Sequence, residues 1–358
     1  MCSTKLWCAV ILLFVSLGGR ASSARSEERH YADSSSISYS GFIDSTFGHD
    51  LNDLTTHRRP YTTQPLYDDE AALNLGYVDA VVRDGDYHGR LAVQYGSSVV
   101  ANYEAEHDRF FRYFQEAYAG AELANNVTLD VGIFFSHIGT EGWISRDNVN
   151  LGRSLTADYS PYYQSGARLL YSLTPEIKTE LHLVRGWQNI SNHAEPALGT
   201  RIAYSASPAL MIQHSTFVGD VSGGRLFNHF GFVASASKSL TIVGAYDVGL
   251  QERRANTTAI WHGWAISTKY RVNTPIALGF RIERYSDPSQ VLVTSLSLDS
   301  VTTMGFSFNL DYSITNDLVW RTEYRAFVGQ HDIFPDGDSF RPSDSLITTS
   351  LQYSFAWT

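Results

Sequence analysis

From Ile37 to the C-terminus one pattern repeats. Segments of about ten residues alternate apolar and polar side chains, are rich in Tyr, Phe, Val, Ile, Leu and Thr, and are divided by turn residues. A period of two places successive side chains on opposite faces of an extended strand. The separators alternate in length. Short ones are Asp84-Gly85-Asp86, Ala124-Asn125-Asn126, Thr174-Pro175-Glu176, Ser207-Pro208, Ser237-Lys238, Asn273-Thr274 and Thr315-Asn316. Long polar ones fall at 48–70, 100–111, 137–161, 188–196, 220–224, 251–259, 286–301 and 330–343. Seven short and eight long connections join sixteen strands. Their expected spans are 37–47, 71–83, 87–99, 112–123, 127–136, 162–173, 177–187, 197–205, 209–219, 225–236, 239–250, 260–272, 275–285, 302–314, 317–329 and 344–355. The bracket on the count is about fourteen to eighteen. An even number returns both termini to one side, and in outer-membrane barrels the short turns lie on that side, the periplasm.

The two faces differ sharply. In 302–314, Met304, Phe306, Phe308, Leu310 and Tyr312 share a face opposite Ser307, Asn309 and Asp311. In 317–329, Trp320, Thr322, Tyr324 and Ala326 oppose Arg321, Glu323 and Arg325. In 344–355, Ile347, Thr349, Leu351, Tyr353 and Phe355 oppose Thr348, Ser350, Gln352 and Ser354. Period alone does not say which face is enclosed. A soluble sandwich encloses the apolar face; a transmembrane barrel turns it to lipid and lines its lumen with the polar one.

An export signal, the lack of cysteine in the mature chain and the alternation of short with long separators tip the balance towards the barrel, and other features agree. Lys5, the apolar run Leu6 to Leu17 and the small residues Ala21-Ser22-Ser23-Ala24 read as a secretory signal over 1–24; the run is shorter than the ~20 residues of a membrane-spanning helix. A polar, Ser-rich tail follows at 25–36, and the barrel is expected over 37–358. Beyond the signal no stretch approaches the roughly 18 consecutive apolar residues of a helical span, and a membrane protein without such helices crosses as a closed barrel. Both cysteines, Cys2 and Cys8, lie in the signal, so the mature chain has no disulfide, no thiolate metal site and no Cys nucleophile. The formal charge is −10; loss of the signal removes Lys5 and Arg20 and leaves about −12. Such a surface argues against nucleic acid, whose phosphates need cationic partners. Aromatic residues where strands should meet lipid headgroups, among them Trp187, Trp261, Trp264, Tyr285 and Trp320, fit an interfacial belt.

Several stretches carry a resemblance. They are Gln115-Glu116-Ala117-Tyr118, Asp130-Val131-Gly132-Ile133-Phe134 followed by His137-Ile138-Gly139, Ile144-Ser145-Arg146-Asp147-Asn148, and the block Ala157 to Gly166. Leu181-His182-Leu183-Val184 with Gly186-Trp187-Gln188-Asn189, then Tyr285-Ser286-Asp287-Pro288 and Trp320 to Arg325, extend it. In these the chain resembles the β-barrel porin-2 (OmpL-like) family of Gram-negative outer membranes, over about residues 40–355, with 115–190 the specific part. Two departures stand out: Arg185 replaces a small polar residue before Gly-Trp, and the chain ends Phe355-Ala356-Trp357-Thr358 rather than on the terminal aromatic that barrel-assembly machinery reads. The resemblance implies passive transport across the outer membrane, with outer-membrane lipid, small hydrophilic solutes and that machinery as partners, no cofactor, and the homo-trimeric assembly common among general porins.

The third long connection, 137–161, is the candidate constriction, since in general porins the third loop folds into the bore. Its candidate residues are His137, Glu141, Arg146, Asp147, Arg153 and Asp158. Opposed charges across a narrow pore set a transverse field that orients solutes. Glu116, Arg168, Glu180, His182, Arg281, Glu283, Arg321, Glu323 and Arg325 are candidate lumen charges. The plainer reading of these is a self-compensating ladder of cross-strand ion pairs. The acidic balance points to a weak cation preference that Arg321 and Arg325 could reverse locally. His137, His182, His49 and His57 lack paired ligand spacing, so no metal is expected. Asn126, Asn189 and Asn256 head chance glycosylation sequons. No Gly-x-Ser-x-Gly elbow supports a hydrolase. The functional expectation is therefore a non-enzymatic diffusion channel; the alternatives are a non-conducting receptor or adhesin barrel and, behind it, an outer-membrane hydrolase.

Overall fold

The computed structural model describes residues 35–253 and 257–357. The expected signal, nearly all of the polar tail and Asn256 lie outside the described residues. The first strands are β1 (Ser36–Asp50), β2 (Glu70–Asp84), β3 (Tyr87–Tyr95), β4 (Phe114–Ala124), β5 (Val127–Phe135) and β6 (Tyr163–Ser172). Next come β7 (Ile177–Arg185), β8 (Pro196–Ser207), β9 (Leu210–Asp220), β10 (Gly224–Ser235), β11 (Leu240–Arg253) and β12 (Thr257–Arg271). The last are β13 (Ile276–Asp287), β14 (Val301–Ser313), β15 (Leu318–Gly329), a small hairpin of β16 (Phe334–Asp336) and β17 (Ser339–Arg341), and β18 (Ser343–Trp357). All but the hairpin pair with their neighbours in one antiparallel ring, and β1 closes it on β18 from Tyr39↔Trp357 to Asp50↔Leu346. Closure leaves no unpaired edge, which is what permits a sheet to stand in a membrane.

The sixteen barrel strands fall where the alternation places them. The largest difference is at β3, expected to run to residue 99. It stops at Tyr95, and Ser97–Asn102 form a short helix, α1. Gly96 turns the chain with φ 146, and a Cβ there would lie 2.3 Å from the Asn74 carbonyl oxygen, so a side chain does not fit. Gly85, at φ 56, does the same in the two-residue turn between β2 and β3.

The apolar face is outside. Phe306, Phe308 and Tyr312 are exposed while Ser307, Asn309 and Asp311 are buried; Trp320 and Tyr324 oppose buried Arg321, Glu323 and Arg325; and Ile347, Leu351 and Tyr353 oppose buried Thr348, Ser350 and Gln352. Exposed Tyr39, Tyr87, Tyr204, Tyr270, Tyr312 and Trp357 stand near the short-turn end of the wall. The aromatic belt needs correction. Trp320 faces outward, but Trp261 and Tyr285 are buried inside, and Trp187 packs edge-on against Phe217 and Phe227. They lie on inward positions. Towards the long-loop end the lumen face changes from polar to aromatic: Phe217, Phe227, Trp261, Tyr285 and Phe327 form one cluster with the loop residues Ile138, Leu155, Val293 and Ile333. That cluster holds the loops down over the barrel mouth by apolar burial.

Candidate pore constriction

Between β5 and β6 the third long connection bonds to inward residues on many sides of the ring. Its first residue, His137, sits on the bare Cα of Gly199, where a Cβ would come within 2.3 Å of the imidazole. Its Nε2 is 2.8 Å from the Thr216 carbonyl and its Nδ1 3.0 Å from Gln164 Oε1, while the Ser215 hydroxyl donates to its carbonyl at 2.7 Å. Gln213 donates to the Gly139 carbonyl at 2.7 Å. Burial, with the His182 ring stacked 4.2 Å away, holds the His137 imidazole down to about 4.

Farther along, Trp143 donates to Gln94 of β3 at 3.0 Å and Ser145 to Asp44 of β1 at 2.9 Å. Arg321 of β15 donates to the carbonyls of Ser145 at 2.6 Å and Val149 at 2.9 Å. Arg281 of β13 donates to the Gly152 carbonyl at 2.6 Å, and Glu283 accepts from the Leu155 amide at 2.6 Å. Arg146 donates to the Asn316 and Asp317 carbonyls, in the short turn between β14 and β15, and to Ser354. With the Leu151 amide donating to Asn309 of β14 at 3.0 Å, the segment touches β1, β3, β8, β9, β13, β14, β15 and β18 from within the ring, and its tip reaches the short-turn end.

The wall itself is a ladder of ion pairs. On one arc Arg90 pairs with Asp79 and Glu116, Asp130 with His88 and Arg168, and Glu180 with His182 and Arg201. On the other Asp311 takes Lys269 and Arg321, while Glu283 takes Arg281 and Arg325 and Glu323 takes Arg281. The arcs differ in access. Arg90, Arg168 and Arg201 keep 26, 15 and 28 % of their side chains exposed, whereas Arg281, Arg321 and Arg325 keep 0, 1 and 2 %.

The sequence candidates therefore separate. In the loop, His137, Glu141, Arg153 and Asp158 are staples: Glu141 accepts from Ser154, and Arg153 pairs with Asp158 at 3.2 Å and lies over the Tyr162 ring. Burial pushes the Glu141 carboxyl up, opposed by Arg281. Asp147 is exposed and Arg146 half-buried. On the wall, Glu116, His182, Arg281, Glu283, Arg321, Glu323 and Arg325 are buried in the ladder, and Arg168 and Glu180 keep partial access. Arg90, Arg201, Asp79, Asp130, Lys269 and Asp311 complete the same ladder, a placement that inward parity on adjoining strands signals. Among the described residues one group, His49, Asp68 and Asp69, brings possible metal ligand atoms within 4.8 Å of one another, but His49 is already 2.7 Å from Asp69 and Asp68 accepts from the Asp50 amide.

A closed sixteen-strand barrel, apolar outside and charged inside, with a long connection bonded across its inner wall, is a porin-like barrel. The family model "Putative beta-barrel porin-2, OmpL-like" matches residues 36–355, and the chain belongs to that family. Solved structures share the fold. The outer membrane channel DcaP of Acinetobacter baumannii superposes with a TM-score of 0.62 at 13 % identity, covering 90 % of this chain and 97 % of that one. An anion-selective porin from Comamonas acidovorans gives 0.60 at 7 %, covering 90 % and 100 %. OmpT, an outer membrane protein of Vibrio cholerae solved in a trimer form, gives 0.58 at 9 %, covering 90 % and 100 %. No curated protein matches the chain.

Proposed function

We propose that the chain is an outer-membrane channel through which small hydrophilic solutes and ions diffuse passively, without catalysis, and whose bore is narrowed by the third long connection. The observation that carries this reading is the unequal access of the two arcs. Apart from its anchors on Gln94, Gly199 and β9, the connection is bonded to the β13–β15 and β18–β1 wall, and the charges it covers there are buried, while Arg90, Arg168 and Arg201 keep access on the β3–β8 wall. The open path runs along that second arc, with the exposed Asp147 on the loop. Arg321 and Arg325, being buried in ion pairs, do not set the field that solutes meet. Export uses the cleaved N-terminal signal, the short turns face the periplasm, and barrel-assembly machinery inserts the chain.

A homo-trimer is part of the proposal. Gly76, Ala80, Gly89, Ala117, Ala119 and Ala121 set small residues on the outward face of β2–β4 among Val78, Leu91 and Val93, and β4 between Ala117 and Ala121 carries no large side chain there, whereas β10–β13 present Phe230, Phe232, Tyr246, Trp264 and Phe280. Small residues let two barrel walls approach closely.

Liposome swelling tests the transport reading. Liposomes carrying the purified mature barrel should swell in uncharged sugars at rates that fall steeply with solute size. A folded, heat-modifiable barrel that admits none of them would overturn it and favour the receptor or adhesin reading.

A further inference from the structure

Arg284 breaks the apolar exterior. On β13, Arg281, Glu283 and Tyr285 point inward and are buried, so pleat alternation turns Ile282 and Arg284 outward, while Ser286, next on that face, is buried against Thr302. Ile282 is exposed as expected of a lipid-facing residue. Outward charges elsewhere, such as Arg185 and Glu252, lie at or next to strand ends, but Arg284 stands three residues inside β13 from its long-loop end. Its guanidinium has no hydrogen-bond or ion-pair partner among the described residues. A cation on a lipid-facing strand is costly at membrane depth unless something anionic meets it.

The surroundings supply the rest of a site. Arg284 pairs across the sheet with Trp264, and His262, the next outward residue of β12 towards the long-loop end, pairs with Ser286. Trp264 is also a wall of an outward groove of about 610 Å³ that runs over β8–β12 through Ile212, Phe230, Phe232, Tyr246 and Ile266. Every one of those strands enters the groove on the short-turn side of the row that Arg284, Trp264, Tyr246, Phe230 and His214 make across the sheet. A cationic head position thus adjoins a long apolar trough, in the order an amphiphile would occupy them.

We propose that this face binds an anionic outer-leaflet glycolipid, its phosphate on Arg284 with His262 beside it and an acyl chain along the groove. A phosphate supplies the missing counter-charge, and the groove accounts for the chain. Binding is independent of transport; only the assignment to the outer leaflet rests on the proposed orientation. A cysteine in place of Leu298, which is 83 % exposed in a long connection, tests that orientation separately by labelling in intact cells.

The experiment is native mass spectrometry of the mature barrel in micelles doped with bisphosphorylated lipid A, phosphatidylglycerol or phosphatidylcholine. The barrel should retain lipid A in preference to net-neutral phosphatidylcholine. Arg284→Gln should lower that retention at least tenfold and Arg284→Lys should keep most of it, both proteins remaining heat-modifiable. Unchanged retention in Arg284→Gln, or equal retention of phosphatidylcholine, would overturn the proposal. Stronger retention of phosphatidylglycerol would overturn the glycolipid assignment. An oligomer that Arg284→Gln disperses would give the face to a second copy instead.

Discussion

Arg321 and Arg201 both point into the barrel, and their surroundings give them different work. Arg321 is 1 % exposed, pairs with Asp311 at 2.6 Å and holds the third connection by backbone carbonyls. Arg321→Met should destabilise the barrel by about 3 kcal/mol, the low end for breaking a buried pair because Lys269 still faces Asp311. The check is the temperature at which the heat-modifiable band is lost. Arg201 is 28 % exposed beside Glu180 and Gln213. Arg201→Gln should change stability little, since a solvated pair contributes about 1 kcal/mol or less, but should move the reversal potential in a salt gradient towards cation preference. Arg321 was legible in the sequence because its strand alternates cleanly with Trp320 and Thr322. Which arginine meets water was not, because that depends on where a connection 172 to 176 residues before Arg321 comes to rest. His137 adds a pH dependence. The fold keeps it neutral down to about 4 against its ordinary 6.5, so protonation is resisted by the packed state. Its anchor, with His182 stacked on it and Glu180 and Arg201 behind, should be full above pH 6.5 and weaken as the pH falls towards 4. Open-channel current noise rising over that interval measures it.

The third connection is a strap anchored where it leaves β5. One end rests on Gly199, where the absence of a Cβ lets the His137 ring lie on the β8 backbone. Gly199→Val should displace that ring and loosen the strap, leaving far-ultraviolet circular dichroism unchanged while raising single-channel conductance or flicker; unaltered currents would mean the strap does not limit flow. Strand positions were readable because a period of two over about ten residues, cut by Gly, Asn and Pro turns, has few other solutions. The end of β3 was not, since Gly96 bends the chain for reasons held by the Asn74 carbonyl on a neighbouring strand. Nor was the aromatic cluster of Trp261, Tyr285 and Phe227 inside the mouth. A tryptophan near a strand end reads as an interfacial anchor, and only the inward parity shared with Ala259 and Gly263 places Trp261 under the loops.

For the whole molecule, the absence of cysteine after Cys8 makes assembly straightforward to probe. Ala119→Cys on the smooth β4 face should give a disulfide-linked pair of barrels on oxidation, and Phe280→Cys on β13 should not; the reverse pattern would move the interface. A water-filled path narrowed by residues 137–161 is the core of the proposed function. It is tested most directly by single-channel recording of the purified mature chain in a planar bilayer, beside a variant in which residues 142–150 are replaced by a short Gly-Ser linker. The intact chain should give uniform steps and the shortened one severalfold larger steps. A correctly folded intact barrel that never conducts, or steps of equal size in both, would contradict it.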